Sequence, residues 1–309
     1  MRTDPTLHPG LSVFERGWLS SNNVLLAGEG EGAVLVDSSH CLHAAQTVQL
    51  LHHGLSGEPL AAVVNTHLHS DHCGGNAALQ REFGAPVRIP PGQWQAVLDW
   101  DEQALSYAAT RQRCERFVPQ GRIEPGSTLR VGRCGWQVLA APGHDPHSVV
   151  LYDDAQGVLI SADALWENGF GVVFPELAGE PGFDDVAATL DLIAGLDARW
   201  VIPGHGAPFA DVAGALARAR ARLATMRADP ARHTRYAAKV LLKYHLMEVR
   251  SQPLAALRQW LADTPYLHQA WRQLGHPAGS LADWGDALLA ELAASGALAL
   301  HEGVVHDAG

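Results

Sequence analysis

The stretch NTHLHSDHCGG, residues 65–75, places three histidines and an aspartate within six consecutive positions. A buried strand, LAAVVNTH, leads into this stretch, so His67 and His69 lie two positions apart and can point the same way. Asp71 and His72 follow in the turn and can point to another side. Imidazole and carboxylate together are ligands for zinc, and also for iron or manganese. The spacing therefore predicts a turn that serves two metal ions, and a polar loop with scattered histidines is the alternative.

Further ligand types follow three later strands. The run AAPGHDPHS offers His144 after a strand, LISADAL offers Asp163 at a strand end, and VIPGHGAPF offers His205 after another strand. Each residue alone also fits a structural role, as a turn histidine or as an aspartate that caps a helix. The occurrence of all three in this order favours a metal site at one edge of the fold.

The pattern of apolar runs changes along the chain. Short β-type runs alternate with helical runs over residues 1–210, which is typical of a layered α/β protein. Helical runs dominate after residue 211, and two short apolar runs close the chain in the manner of a small hairpin. We predict a catalytic domain over residues 1–215 and a second, mainly helical domain over residues 216–309.

Composition excludes several classes of protein. The 309 residues are 47% hydrophobic and carry a net charge of −11, which suits a large globular core and an acidic body. The apolar runs are too short and too interrupted to span a bilayer, and we expect no signal peptide. The four cysteines have no CxxC spacing and indicate free thiols in a reducing cytoplasm. Neither GxSxG nor GxxxxGK[ST] occurs, so a serine nucleophile and a phosphate-binding loop lack support.

The motif order, HxHxDH, then PGH, then an aspartate that ends a strand, then PGHG, resembles that of the metallo-β-lactamase superfamily over roughly residues 1–210. The resemblance implies an αββα sandwich with the metals at one edge, here followed by the helical C-terminal domain. An aspartate bridge is more similar to the glyoxalase II and lactonase branches than to the true β-lactamases. The implied ligands are His67, His69 and His144 for metal 1, Asp71, His72 and His205 for metal 2, and Asp163 as the bridge.

This resemblance implies a dinuclear metal-dependent hydrolase that uses a metal-bound hydroxide on a small ester-like substrate, such as a thioester, a lactone or a related acyl compound. Zinc is the first expectation for both ions, with iron and manganese as alternatives. Asp71 is a candidate for proton transfer as well as a ligand. His147 stands where the family commonly has glycine, so it is either an additional catalytic group or a turn residue.

Aromatic residues after Asp163 are candidates for a substrate pocket. The long glycine-bearing stretch LWENGFGVVFPELAGEPGF contains Trp166, Phe170 and Phe174. An apolar acyl group would fit a pocket lined by such side chains. The alternative is that they are ordinary core aromatics.

Two other functions remain open, a phosphodiesterase or small endoribonuclease of the same superfamily and a non-catalytic binding protein. The tail resembles a winged helix, and residues 211–250 are basic, which would favour nucleic acid. However, the helical run SLADWGDALLAELAASG has three acidic residues and no basic one, so it would repel phosphates. We therefore expect no nucleic-acid partner and no membrane. We predict a structural cap that narrows the cleft or supports a homodimer and that packs Leu281, Trp284, Leu288 and Leu292.

Overall fold

The computed structural model describes residues 8 and 10–308 and divides the chain into two compact units. The first unit comprises Met1–Leu105 and Arg113–Ala224, and the second comprises Ser106–Gln112 and Thr225–Gly309. The second unit therefore includes a short segment from the middle of the chain. Residues 1–7, on which the expectation about a signal peptide partly rests, lie outside the described residues.

The first unit contains two β-sheets. Its six-stranded sheet has the order β1-β2-β3-β4-β5-β6, antiparallel up to β3 and parallel from β3 to β6. The five-stranded sheet has the order β11-β10-β9-β8-β7, antiparallel except for the parallel β10–β11 pair. The strands are β1 (Leu11–Phe14), β2 (Asn23–Leu26), β3 (Ala33–Val36), β4 (Leu60–Val64), β5 (Val87–Ile89), β6 (Pro119–Arg122), β7 (Thr128–Val131), β8 (Cys134–Ala140), β9 (Val149–Asp153), β10 (Val158–Ala162) and β11 (Trp200–Pro203).

The core of the first unit lies between the inner faces of these two sheets. Val36 and Val64 from one sheet belong to the same buried cluster as Trp136, Leu151 and Ile202 from the other. Each of these side chains is at most 1% exposed, and burying an aliphatic side chain of this size stabilises a fold by about 1.5–3 kcal/mol. The strand runs AVLV and LAAVV are almost wholly apolar because helices cover the outer face of the sheet as well. The αββα sandwich expected from the motif order is confirmed.

Local sequence signals explain where the helices begin and end. For example, α3 ends at Gly84, which has a φ of +63° in the left-handed region that glycine adopts without strain. The helix α7 buries Val186, Leu190 and Ile193, which recur at helical spacing. The helices are α1 (Ala44–Gly54), α2 (Ser70–Cys73), α3 (Asn76–Phe83), α4 (Trp94–Asp99), α5 (Tyr107–Thr110), α6 (Phe174–Ala178), α7 (Gly182–Ala194), α8 (Val212–Ala228), α9 (Pro230–Val249), α10 (Leu254–Asp263), α11 (Pro265–Gln273) and α12 (Leu281–Ala294).

The second unit combines helices with a small sheet of order β12-β14-β13, formed by β12 (Ser251–Pro253), β13 (Leu298–His301) and β14 (Val304–Asp307). Ser280 caps α12 by accepting a hydrogen bond from the Asp283 backbone N–H. Trp284 and Leu288 are at most 1% exposed, whereas Leu281 at the start of the helix is only partly buried. The likeness of this unit to a winged helix stays a prediction.

Many basic side chains after residue 211 pair with carboxylates. In the first unit, Arg220 Nη2 lies 2.8 Å from Asp191 Oδ1. In the second unit, Glu291 accepts hydrogen bonds from Arg235 and Lys239. The charge of the basic segment is therefore partly neutralised within the protein. Among the described residues, no helix has both the length and the apolar character that crossing a membrane requires.

Candidate metal centre

The seven predicted ligand residues lie together in two clusters at one edge of the sandwich. Within each cluster, the side-chain donor atoms all lie within 4.8 Å of one another. The residues come from segments that follow the carboxyl ends of β4, β8, β10 and β11. The fold thus brings distant parts of the chain to one place. The first cluster is His67, His69 and His144, and the second is Asp71, His72, Asp163 and His205.

In the first cluster, three imidazoles turn one nitrogen each toward a common point. His69 Nδ1 lies 3.0 Å from His67 Nε2 and 2.8 Å from His144 Nε2. The opposite nitrogen of His144, Nδ1, donates to the carbonyl oxygen of Val172 at 2.6 Å. Because a carbonyl oxygen can only accept, the proton of His144 sits on Nδ1 and the lone pair on Nε2 faces the cluster. This is the tautomer that a metal ligand needs.

A hydrogen bond also orients a histidine of the second cluster. His72 Nδ1 donates to Asp37 Oδ2 at 2.7 Å, which leaves Nε2 facing Asp163 Oδ1 at 3.5 Å. That Nε2 atom is buried and has no hydrogen-bond partner among the described residues. His205 Nε2 lies 3.1 Å from Asp71 Oδ2. A buried ring nitrogen with no hydrogen-bond partner, placed beside carboxylates, fits a divalent cation.

Asp163 lies between the two clusters. One carboxylate oxygen, Oδ2, is 3.4 Å from His144 Nε2, and the other, Oδ1, is 3.5 Å from His72 Nε2. The side chain of Asp163 is therefore within ligand reach of both donor sets. Its neighbour Gly204 leaves the necessary room, because a Cβ atom at that position would overlap Asp163 Oδ1.

Electrostatics holds most of these groups in the protonation states that metal binding requires. Burial, together with the neighbouring His144, lowers the pKa of His69 to about 4, so its imidazole is neutral. Burial also lowers the pKa of His67 well below its usual value. Burial opposes the ionisation of Asp71, yet His72 and His205 bring the pKa of that carboxyl down to about 2. Neutral imidazoles and ionised carboxylates are the ligand forms of these side chains.

His72 shows how strongly the second cluster attracts positive charge. Burial alone would lower its pKa, but the carboxylates of Asp37, Asp163 and Asp71 raise the pKa of His72 well above its usual value. A proton on this imidazole thus occupies the position in which a cation would balance the same carboxylates. Together with the donor sets, this charge balance indicates that the residues fit two divalent ions.

Aromatic side chains form a wall beside the second cluster. Trp18 is 57% exposed and stacks on the His205 ring with a centroid distance of 5.2 Å and an angle of 10°. Trp166 meets both rings edge-on at 5.5 Å, and its Nε1 donates to Asp163 Oδ1 at 3.2 Å. Phe174 lies 4.8 Å from the His69 ring, next to the first cluster. An apolar wall of this kind can hold an acyl group at the centre.

Phe170 and His147 do not belong to either cluster of ligand-type side chains. Phe170 is 1% exposed, with the Arg222 guanidinium 5.6 Å above its ring, so it belongs to the core and not to the wall. His147 is exposed and packs against Gly92, where a Cβ atom would overlap its ring. The backbone N–H of His147 donates to Asp145 Oδ1 at 2.7 Å. The catalytic role of His147 stays a prediction.

Sequence reasoning missed three residues beside the clusters. Asp37 ends the strand run AVLVD at the same edge as the motif, and that position is a signal that could have revealed it. Asp145 directly follows His144, and its Oδ2 lies 3.9 Å from His69 Nε2. Trp18 lies in the loop between β1 and β2, where no spacing pattern marks it.

Comparison with known proteins identifies the same family that the motif order indicates. A model of the metallo-beta-lactamase superfamily matches residues 16–205. The hydroxyacylglutathione hydrolase of Anaeromyxobacter dehalogenans (strain 2CP-C) is 29% identical over 229 residues, which cover 70% of this chain and 76% of that protein. The chain spans 39% of the length of other curated hydroxyacylglutathione hydrolases that it matches, at 29–31% identity.

Two solved structures extend the comparison. A metallo-beta-lactamase family protein from Thermus thermophilus has a TM-score of 0.57 and 23% identity, covering 97% of this chain and 99% of that one. At this identity the likeness concerns the fold alone. A protein crystallised in a di-iron-bound form has a TM-score of 0.52 and 27% identity, covering 66% of this chain and 96% of that one.

Proposed function

The chain belongs to the metallo-beta-lactamase superfamily of metal-dependent hydrolases, and from this membership we propose that it cleaves a small ester-like substrate at a dinuclear metal centre. The observation that carries the proposal is the position of Asp163, with one carboxylate oxygen 3.4 Å from His144 Nε2 and the other 3.5 Å from His72 Nε2. A carboxylate so placed can serve two ions at once.

Two donor sets would hold the ions. His67, His69 and His144 would bind the first, and Asp71, His72 and His205 would bind the second, with Asp163 shared. When bound, a pair of divalent ions supplies a hydroxide nucleophile at neutral pH and polarises the oxygen of the scissile group. Zinc is the first candidate because histidine and carboxylate ligands suit it. The relative in a di-iron-bound form supports iron as an alternative.

Hydrogen bonds within the chain orient the proposed ligand side chains. The carbonyl of Val172 fixes the tautomer of His144, and the carboxylate of Asp37 fixes that of His72, so both ligand lone pairs point inward. Asp71 is ionised at neutral pH, which is the form in which it would bind an ion, and its role in proton transfer stays a prediction. Burial of these groups excludes bulk water and strengthens each electrostatic interaction.

The aromatic side chains beside the ligands and the acidic net charge of the whole chain support a small acyl substrate. Trp18, Trp166 and Phe174 offer apolar surface next to the ligands. The net charge of −11 disfavours a polyanion. The name of the Anaeromyxobacter relative makes a thioester the first substrate class to test. We further propose a cytoplasmic location, which the four free cysteines support.

A substrate panel with metal-loaded protein tests the proposal. We expect turnover of a thioester or a lactone that exceeds turnover of a β-lactam and of a phosphodiester. The variant Asp163→Asn should lose this turnover and bind about one ion fewer than the wild-type protein, measured by elemental analysis. The matched control is Asp154→Asn, which changes an exposed carboxylate near the end of β9. Turnover of the phosphodiester alone, or at most one ion after reconstitution, would contradict the proposal.

A further inference from the structure

A third group of ligand-type side chains lies at the other end of the five-stranded sheet. Cys134 begins β8 and Asp153 ends β9, whereas His144 follows the opposite end of β8. At about 3.3 Å per residue, the length of β8 separates the two ends by roughly 20 Å. His8, which precedes β1, completes the group, and the donor atoms of the three residues lie within 4.8 Å of one another. The group is therefore distinct from the candidate metal centre.

The distances within this group are close to those of a metal site. His8 Nε2 lies 2.9 Å from Asp153 Oδ2 and 3.7 Å from Cys134 Sγ. Around a tetrahedral zinc ion, nitrogen, oxygen and sulfur ligands at their usual bond lengths lie about 3.3–3.6 Å apart. Shifts of a few tenths of an ångström would therefore make room for an ion.

The surrounding residues already hold two of the three ligands in place. Asp153 Oδ1 accepts hydrogen bonds from the backbone N–H groups of Ala155 and Gln156, at 3.0 and 3.2 Å, which directs Oδ2 toward the group. The His8 ring stacks on Trp136 with a centroid distance of 5.3 Å. His8 and Asp153 are 3% and 2% exposed. His8 and Asp153 also hydrogen-bond each other, so their donor atoms face the same point.

We propose that His8, Cys134 and Asp153 form a third metal site, which binds one divalent ion of the zinc type and attaches His8 to the β8–β9 pair. Thiolate, imidazole and carboxylate are the three protein ligands of zinc. Binding replaces the His8–Asp153 hydrogen bond with two metal–ligand bonds, and the Cys134 thiol loses its proton to solvent. The charges of the thiolate and the carboxylate then balance that of the ion. Cys134 is only partly buried, so water can supply the fourth ligand.

Cobalt(II) substitution tests this site separately from the candidate metal centre. The proposed ligands of that centre are nitrogen and oxygen atoms only, so a sulfur-to-cobalt charge-transfer band in the near ultraviolet reports a thiolate ligand. We expect the band in the wild-type protein, its loss in Cys134→Ser, and its retention in Cys41→Ser. Cys41 is the matched control because it is also a partly buried free cysteine. Absence of the band at saturating cobalt, or its persistence in Cys134→Ser, would overturn the proposal.

Metal counting and thiol protection provide two further measurements. Cys134→Ser should bind one ion fewer than the wild-type protein, and this difference should remain even if the other centre proves to hold fewer ions than proposed. In the wild-type protein, zinc should slow alkylation of Cys134 at least tenfold, measured by peptide mass spectrometry, and a chelator should restore it. This second measurement needs no variant and so does not depend on the folding of one. Equal metal counts, or equal alkylation rates with and without zinc, would refute the site.

Discussion

The substitution Asp37→Asn tests whether Asp37 positions the proposed metal ligand His72 without binding an ion itself. Asp37 Oδ2 accepts hydrogen bonds from His72 Nδ1 at 2.7 Å and from Thr66 Oγ1 at 2.8 Å, and Oδ1 accepts one from the Thr66 backbone N–H at 2.9 Å. The residue has a φ of +59°, in the left-handed region that asparagine also tolerates. The variant therefore changes charge and hydrogen bonding without straining the backbone.

The expected loss follows from the tautomer of His72. If the amide oxygen keeps the bond to the Thr66 N–H, the amide NH₂ faces Thr66 Oγ1 and His72 Nδ1. An NH₂ group donates, so it favours the tautomer of His72 with the proton on Nε2, which removes the lone pair that an ion needs. Loss of such a supporting carboxylate typically lowers metal affinity about 10- to 100-fold, equivalent to about 1.4–2.8 kcal/mol.

A zinc titration against a chromophoric chelator, carried out in the Cys134→Ser background, measures the two binding steps of the candidate metal centre. We expect the larger loss of affinity in one step, because Asp37 hydrogen-bonds directly to His72 of the second cluster, whereas it hydrogen-bonds to Thr66, and not directly to His67, on the side of the first cluster. Asp154→Asn, an exposed carboxylate substitution, should leave both steps unchanged. If Asp37→Asn bound both ions within threefold of the wild-type affinity, the Asp37–His72 hydrogen bond would not position a ligand and the reasoning would fail.

Four further outcomes are expected. Trp18→Ala should raise KM several-fold with little change in kcat, because an exposed ring stacked on His205 would bind substrate without touching the reacting atoms. An unchanged KM in steady-state kinetics would contradict this. His69→Ala should abolish turnover while His147→Ala leaves a measurable remainder, and equal losses with both metals retained would make His147 catalytic. Trp284→Ala should lower the free energy of unfolding by about 3–5 kcal/mol in denaturant titrations, and a loss under about 1 kcal/mol would count against a core role. RNA and duplex DNA should show no micromolar binding at physiological salt, whereas binding that weakens steeply with added salt would favour the nuclease alternative.

Ligand type and strand position made most of the candidate centre predictable. His144, Asp163 and His205 each follow a strand, and their order after the HxHxDH turn resembles that of the metallo-β-lactamase superfamily, so the sequence predicts them near that turn. Asp37 directly follows β3, so its position at a strand end could have identified it as well. However, its role comes from a hydrogen bond to the far nitrogen of His72, and no spacing pattern encodes such a bond.

Residues that act through loop conformation could not be predicted. Trp18 contacts His205 only because the loop after β1 folds over the edge of the sheet. Phe170 and Phe174 occur in one aromatic-rich stretch, yet one is buried in the core and the other lies beside His69. Both residues are phenylalanines in the same stretch, so residue type does not distinguish them. The path of the backbone decides which side chain is buried in the core and which lies beside His69.

The spread of the ligands along the chain also determines when the centre can form. Asp71 and His205 are 134 positions apart, and His69 and His144 are 75 positions apart. Closing such long loops costs entropy, and folds dominated by distant contacts fold slowly. Of the seven proposed ligands, an ion that met the chain early in synthesis would find only His67, His69, Asp71 and His72, so a weak local complex would precede the complete one. The metal supplied at that stage, and not only the metal favoured at equilibrium, would then influence which element the folded protein contains.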